Sequence, residues 1–189
     1  MYVIHTARLD LRTWRPGDAA SFHAINQDPR VIEHLAGPMN MAQVEAFIET
    51  QNALYARNGM CYLAATLAHS GSLIGFVGLR HHRDVQGSGL PFAPCTDIGW
   101  RLGAGYWGSG YAHEAAAACL RHGFERLELE EIVSFTTPRN LRSRRLMEKL
   151  GMRRDKAGDF AHPAVAPDHP LSRHLLYRLA RGEALEGDN

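Results

Sequence analysis

Sulfhydryl chemistry is sparse in this chain of 189 residues. Cys61, Cys95 and Cys119 are odd in number, far apart and without Cys-x-x-Cys spacing. That argues against a disulfide scaffold and fits a reducing cytoplasm. No apolar run approaches the roughly 20 residues that span a bilayer. The opening MYVIHTARLDLRTW lacks the apolar core of a secretory leader. Neither sign of charge dominates: the net charge is +1, so nothing draws the whole chain toward nucleic acid or an anionic membrane. Internal repeats and domain linkers are also missing. These absences lead us to expect one cytoplasmic domain over 1–181, with neither membrane nor nucleic acid as partner. The polar end, 182–189, is expected to fray.

The composition that remains, 45% apolar and 22% charged, is that of a globular protein. Ala7 to Trp14 alternates and reads as a first strand. Asp18 is placed to cap a helix through about Ile25. Asn40 to Asn58 reads as a longer helix ended by Gly59. Cys61 to Ala68 and Leu73 to Leu79 form a hairpin around His69-Ser70-Gly71-Ser72. Arg80 to Pro94 reads as a loop and Thr96 to Leu102 as a strand. A helix from Tyr111 to about Leu127 carries an apolar stripe at Ala112, Ala115, Ala116, Cys119 and Leu120. Ile132 to Thr137 is a strand, Leu141 to Leu150 a helix stopped by Gly151, and His174 to Ala180 a strand. The segment Asp155 to Ser172 reads as a long loop, of the kind that binds or covers a ligand. This order predicts an α+β fold: a single mixed, mostly antiparallel central sheet flanked by helices, with a parallel pair joined through the Tyr111 helix.

Two stretches carry chemistry. In YWGSGYAHEA, glycines stand directly before an alanine-rich helix. The first amides of a helix have no intrahelical acceptor, and the positive end of its dipole lies there. Glycine removes the Cβ that would hold an anion away. Gly108-Ser109-Gly110-Tyr111-Ala112 can therefore cradle a phosphate or diphosphate. Competing patterns fail. Gly103 to Gly108 matches G-x-G-x-x-G, but Glu128, Glu130 and Glu131 precede the next strand instead of ending it. No Lys-Ser/Thr follows the glycines, and Ala117 breaks H-E-x-x-H after His113-Glu114. His162, Asp168 and His169 match no common metal spacing, so no metal is expected.

The second stretch is TTPRNLRSRRLMEKLGM. Pro138 and Asn140 set a helix start. Arg139, Arg142, Arg144 and Arg145 crowd that start, where cations are disfavoured by about 0.3–1 kcal/mol each. Glu148 offers Arg144 an i, i+4 partner in the poorer orientation. A docking polyanion would account for the cluster. In a parallel pair both helix starts lie at one sheet edge, so one phosphorylated ligand can reach both.

Together, WGSGYAHEA and PRNLRSRRLMEKLGM resemble the GNAT superfamily of acyl-CoA-dependent N-acyltransferases. ARLDLRTW, DIGWRL and HPLSRHLLYRL resemble its branch of ribosomal-protein N-acetyltransferases. The resemblance implies the GNAT fold, whose parallel pair opens around acyl-CoA, and acetyl transfer to a primary amine by direct attack in a ternary complex. It implies acetyl-CoA as co-substrate, an amine acceptor, and the homodimer common among relatives. The family's diphosphate loop falls on Trp107, Gly108, Ser109, Gly110, Tyr111 and Ala112, with Trp107 replacing the family's basic or amide residue. The backbone of Trp100, Arg101 and Leu102 would pair with the pantetheine amides. Asn140 would contact the pantetheine, Ser143 would lie near the sulfur, and Arg142 or Arg144 would meet the 3′-phosphate.

Acetyl transfer needs a neutral amine, a polarised thioester and a proton for the thiolate. The tyrosine that many relatives carry in the second helix is missing from Leu141 to Leu150, so Ser143 is the positional acid. Asp97, on one strand face with Gly99, is the named base; Glu33, His34, His81 and His82 are alternatives. The same fold without turnover, a non-catalytic acyl-CoA-binding module, is the competing reading. A dehydrogenase would rest on the G-x-G-x-x-G match alone.

Overall fold

The computed structural model describes residues 1–183. In chain order its strands and α-helices are β1 (Tyr2–His5), β2 (Leu9–Arg12), α1 (Asp18–Gln27), α2 (Pro29–Ile32), α3 (Met41–Asn58), β3 (Tyr62–Leu67), β4 (Leu73–His82), α4 (Val85–Ser88), β5 (Cys95–Leu102), α5 (Tyr111–Glu125), β6 (Glu131–Thr136), α6 (Leu141–Lys149), β7 (Arg153–Ala161) and β8 (Arg173–Ala180). The chain divides into two compact units. One is Met1–Arg80 with Gly99–Cys119; the other is His81–Ile98 with residues 120 onward.

In the first unit β1, β2, β3 and β4 pair antiparallel in sequence order. In the second, β5 runs parallel to β6 with Asp97 opposite Val133, and β6, β8 and β7 pair antiparallel. This is the expected mixed sheet, with antiparallel pairs and the parallel pair β5–β6. Just past the Asp97 register, the Ser134 hydroxyl donates to the Ile98 carbonyl at 2.9 Å. A side chain there satisfies a buried backbone acceptor.

Trp14, Phe22, Val44, Ile48, Ala64 and Phe76 form the core cluster of the first unit. The Trp14 indole keeps its N–H satisfied by donating to the Tyr62 carbonyl at 2.7 Å. Helix α3 starts with a reciprocal cap between Asn40 and Gln43 and ends at Gly59, whose φ is +71°. The expected Asp18 cap is not formed. Asp18 is the first helical residue, after Gly17. Its carboxylate instead takes two bonds from the Arg12 guanidinium, each 2.7 Å, in a pair with side chains 5% and 8% exposed.

Four elements escaped the sequence pattern. β1 is an edge strand with no buried residue, so its YVIH shows no face. α2 and α4 are single turns, started by Asp28 and Asp84. β7 corrects the long-loop expectation: RRDKAGDFA is charged and buries only Phe160, yet pairs with β8 through an irregular register between Asp155 and Phe160. Ion pairs replace apolar contacts there: Arg154 with Asp159 at 2.6 Å, and Arg178 with Asp155 at 2.8 Å. The non-strand remainder begins at His162, whose N–H donates to the Ser172 carbonyl at 2.8 Å. Of the polar end, residues 184–189 lie outside the described residues.

Candidate functional site

In the first unit the glycine turn leads directly into α5. Gly108 and Gly110 have φ of +77° and +82°, a region costly for residues with a Cβ. The Gly110 carbonyl accepts the Glu114 N–H at 3.0 Å, so the helix begins at the turn and its first amides point out of it. Gly108, Ser109 and Gly110 are exposed.

The turn is braced by Arg8, which sequence reasoning did not single out. Its Nη1 donates to the Ser109 carbonyl at 2.9 Å and its Nε to Glu114 Oε2 at 2.6 Å. The guanidinium lies over the Tyr111 ring, 4.6 Å from its centre. Glu114 also accepts from the Arg8 N–H and the Thr6 hydroxyl. Burial works to raise the Glu114 carboxyl, but the hydrogen bonds from Thr6 and Arg8 outweigh it and hold the group below its ordinary range. The one sequence signal was an acidic residue in the first turn of α5. It reads as a dipole partner, whereas its role here is to anchor the arginine that holds the loop.

Trp107 has a side-chain task of its own, donating its indole N–H to the Leu102 carbonyl at 2.9 Å. On β5, Arg101 enters an aromatic setting, 5.5 Å from the Phe76 ring centre and 6.0 Å from that of Phe22. Burial pulls its guanidinium down to about 10, with Tyr62 opposing.

In the second unit Asp97 is 3% exposed and does not act alone. His82, at the end of β4, lies with its Nε2 2.7 Å from Asp97 Oδ1. A carboxylate only accepts, so Nε2 is the donor in this bond. His81 meets the Thr96 hydroxyl at 3.2 Å. Phe92, Phe135, Phe160, His162 and His174 form a connected ring cluster, with His162 and His174 centred 4.7 Å apart. His162 is pulled down to about 4 by burial and by His174 and His82, with Asp97 opposing. His174 is lowered by burial, against its bond to the Ser172 carbonyl. The tautomers are set: His162 Nδ1 accepts from the Ala164 N–H, and His174 Nδ1 donates to Ser172. The sequence marked His82 as an alternative to Asp97; their pairing belongs to the β4–β5 geometry.

At the start of α6, Asn140 is the expected cap, its Oδ1 accepting the Ser143 N–H at 3.2 Å while its Nδ2 donates to Thr136 at 3.0 Å. Arg144 is turned inward, donating to the Pro138 carbonyl at 3.1 Å and to the Tyr177 hydroxyl at 3.3 Å. Tyr177 in turn donates to Glu148 at 3.2 Å, so a hydroxyl bridges the expected Arg144–Glu148 pair. Arg142 is exposed. Burial raises the Cys61 and Cys95 thiols to about 12, leaving them poor nucleophiles.

Comparison with known proteins gives the class of this chain, the acetyltransferases. Residues 8–153 match the Acetyltransferase (GNAT) domain, and the chain belongs to that family. A relative, FsC-acetyl coenzyme A-N(2)-transacetylase of Aspergillus fumigatus, is 27% identical over 157 residues, covering 79% of this chain and 64% of its own. The crystal structure of a GNAT-family acetyltransferase from Bacillus anthracis is 25% identical with a TM-score of 0.78, over 97% of this chain and 100% of that one. RimJ of Mycobacterium smegmatis, solved in complex with CoA-disulfide, shares the fold at 22% identity, with a TM-score of 0.71 over 93% of this chain and 83% of that one.

Proposed function

We propose that this GNAT acetyltransferase moves an acetyl group from acetyl-CoA to a primary amine, in the cytoplasm and within a single domain spanning 1–181. The carrying observation is the turn Gly108-Ser109-Gly110, held open by Arg8 at the start of α5. It suits a diphosphate: its exposed glycines allow close approach, and the nearby carboxylate of Glu114 is already neutralised by Arg8. The backbone of Trp100, Arg101 and Leu102 is proposed to pair with the pantetheine, and Trp107, Tyr111 and Ala112 to complete the loop. Asn140, Arg142, Ser143 and Arg144 are proposed for the pantetheine and 3′-phosphate. Of the two arginines, Arg144 also donates to Pro138 and Tyr177, and Arg142 is exposed.

The amine must lose a proton before it attacks the thioester carbon. We assign that proton to the Asp97–His82 pair: His82 Nδ1 takes it, and the buried Asp97 holds the ring in the right tautomer and balances the imidazolium. A β5 backbone N–H stabilises the developing oxyanion. Ser143 positions the sulfur end or protonates the departing thiolate. Calorimetric titration with acetyl-CoA, with dephospho-coenzyme A and NADH as controls, tests the donor. Micromolar binding that weakens without the 3′-phosphate supports the reading; binding of NADH instead of acetyl-CoA overturns it. Acetyl-CoA binding with no thiol release on any amine favours the non-catalytic module.

A further inference from the structure

The first unit carries Arg12, Arg80 and Arg101 on β-strands, and Arg12 and Arg101 are treated differently. Arg12 has a buried carboxylate, Asp18, on two of its nitrogens. Arg101 has none: among the described residues its polar partners are the Asn26 amide oxygen and the Met39 sulfur, both bonded by Nη1. These partners are themselves fixed. Asn26 is fully buried and donates its own Nδ2–H to the Phe22 carbonyl at 2.7 Å. Gln27 donates to the Met39 carbonyl at 2.7 Å. The guanidinium is thus gripped by one nitrogen, while Phe76 and Phe22 supply apolar faces.

Its other edge is available. Nε and Nη2 donate to no protein group among the described residues. Nor are they sealed in: the buried polar side-chain atoms without a partner are Thr137 Oγ1 and Arg154 Nε. Arg101 as a residue is partly accessible. The Nε–Nη2 edge is a fork that matches the two oxygens of a carboxylate. A neutral asparagine at position 26 orients the arginine without cancelling its charge, whereas an aspartate would close the site.

We propose that the Nε–Nη2 edge of Arg101 receives a carboxylate of the acyl acceptor, so that the amines accepted are amino acids or peptides carrying a free carboxylate. The word acceptor rests on the acetyl-transfer reading above; the anion site itself does not. Amines without an acid, polyamines above all, would bring a second positive charge to the guanidinium and are disfavoured.

The test uses the whole protein with coenzyme A present and matched probes: N-acetylleucine, N-acetylphenylalanine and an N-acetylated dipeptide, each against its C-terminal amide. Calorimetry should show at least one acid binding about tenfold or more tighter than its amide, as a charge-assisted bidentate pair allows. Benzoate should compete with that acid. Arg101→Gln should bring the acid-to-amide ratio close to one, and Arg101→Lys should leave it intermediate. If the glutamine variant does not fold, the wild-type ratio and the benzoate competition decide. Equal affinity within every pair, or a ratio that survives Arg101→Gln, overturns the proposal. Acetyl-CoA titration reads the donor site alone: donor binding without acid preference refutes Arg101 as an acid site, and acid preference without donor binding refutes acetyl transfer.

Discussion

Replacing Gly110 by alanine acts on the loop in two ways that can be measured separately. At φ +82° an L-residue pays about 1–2 kcal/mol of backbone strain. The new Cβ would also lie 3.3 Å from Arg8 Nη2. That nitrogen must yield by a few tenths of an ångström, and the same planar guanidinium is tied through Nη1 to Ser109 at 2.9 Å and through Nε to Glu114 at 2.6 Å. Disturbing this partly exposed brace adds at most about 1 kcal/mol. The sum, about 1–3 kcal/mol, corresponds to a fall of about 1 M in the urea midpoint for a slope near 2 kcal/mol/M. Gly108→Ala carries the same strain at φ +77° with no atom within 4 Å, so the difference between the two variants isolates Arg8. In the folded Gly110→Ala protein, calorimetry should show acetyl-CoA affinity reduced by about tenfold or more, because a methyl group stands where a diphosphate must approach. Unchanged affinity refutes the cradle; an unchanged midpoint refutes the strain argument.

Asp18→Asn should destabilise the protein by about 3–5 kcal/mol in urea titration, since it removes the counter-charge of a buried guanidinium; replacing Arg12 and Asp18 together by Met and Leu should recover most of that loss. Glu114 has a folded pKa below its ordinary value, so its contribution is present above the ordinary carboxylate range and lost as pH falls through the folded value. Glu114→Gln should remove that part of the acid dependence, at a cost of about 1 kcal/mol at neutral pH. His162 is held neutral down to about 4. The unfolded chain therefore takes up its proton first as pH falls, and stability declines between the ordinary histidine range and about 4; His162→Gln should flatten that decline in thermal melts recorded against pH. For catalysis, His82→Gln should abolish the acid limb of the pH–rate profile and Asp97→Asn should shift and weaken it, while profiles identical to wild type would clear both. Full turnover by Ser143→Ala would end its role as an acid.

Local signals in the sequence carried much of the fold. Helix α3 has its periodicity within its own 18 residues and its cap, Asn40, and terminal glycine, Gly59, directly beside them, and the glycine turn stands immediately before the helix it opens. Asn140 was legible as a cap for the same reason: its partner, the Ser143 N–H, is three residues away. β7 was not legible, because its stability comes from pairing with β8 and from arginines and aspartates brought together by that pairing. Glu114 was visible in the first turn of a helix, but its engagement with Arg8, 106 residues away, was not. Asp97 could be named from strand alternation, whereas its hydrogen bond with His82 depends on the β4–β5 geometry. Arg101 shows the division most clearly. Its sequence context is an ordinary strand end, and only folding determines that one arginine meets Asp18 while another, gripped by Asn26, keeps an open edge. Caps, turns and periodicity act within a few residues of the chain, so they can be read from it; a charge acquires its function from partners distant in sequence, and those are chosen by packing.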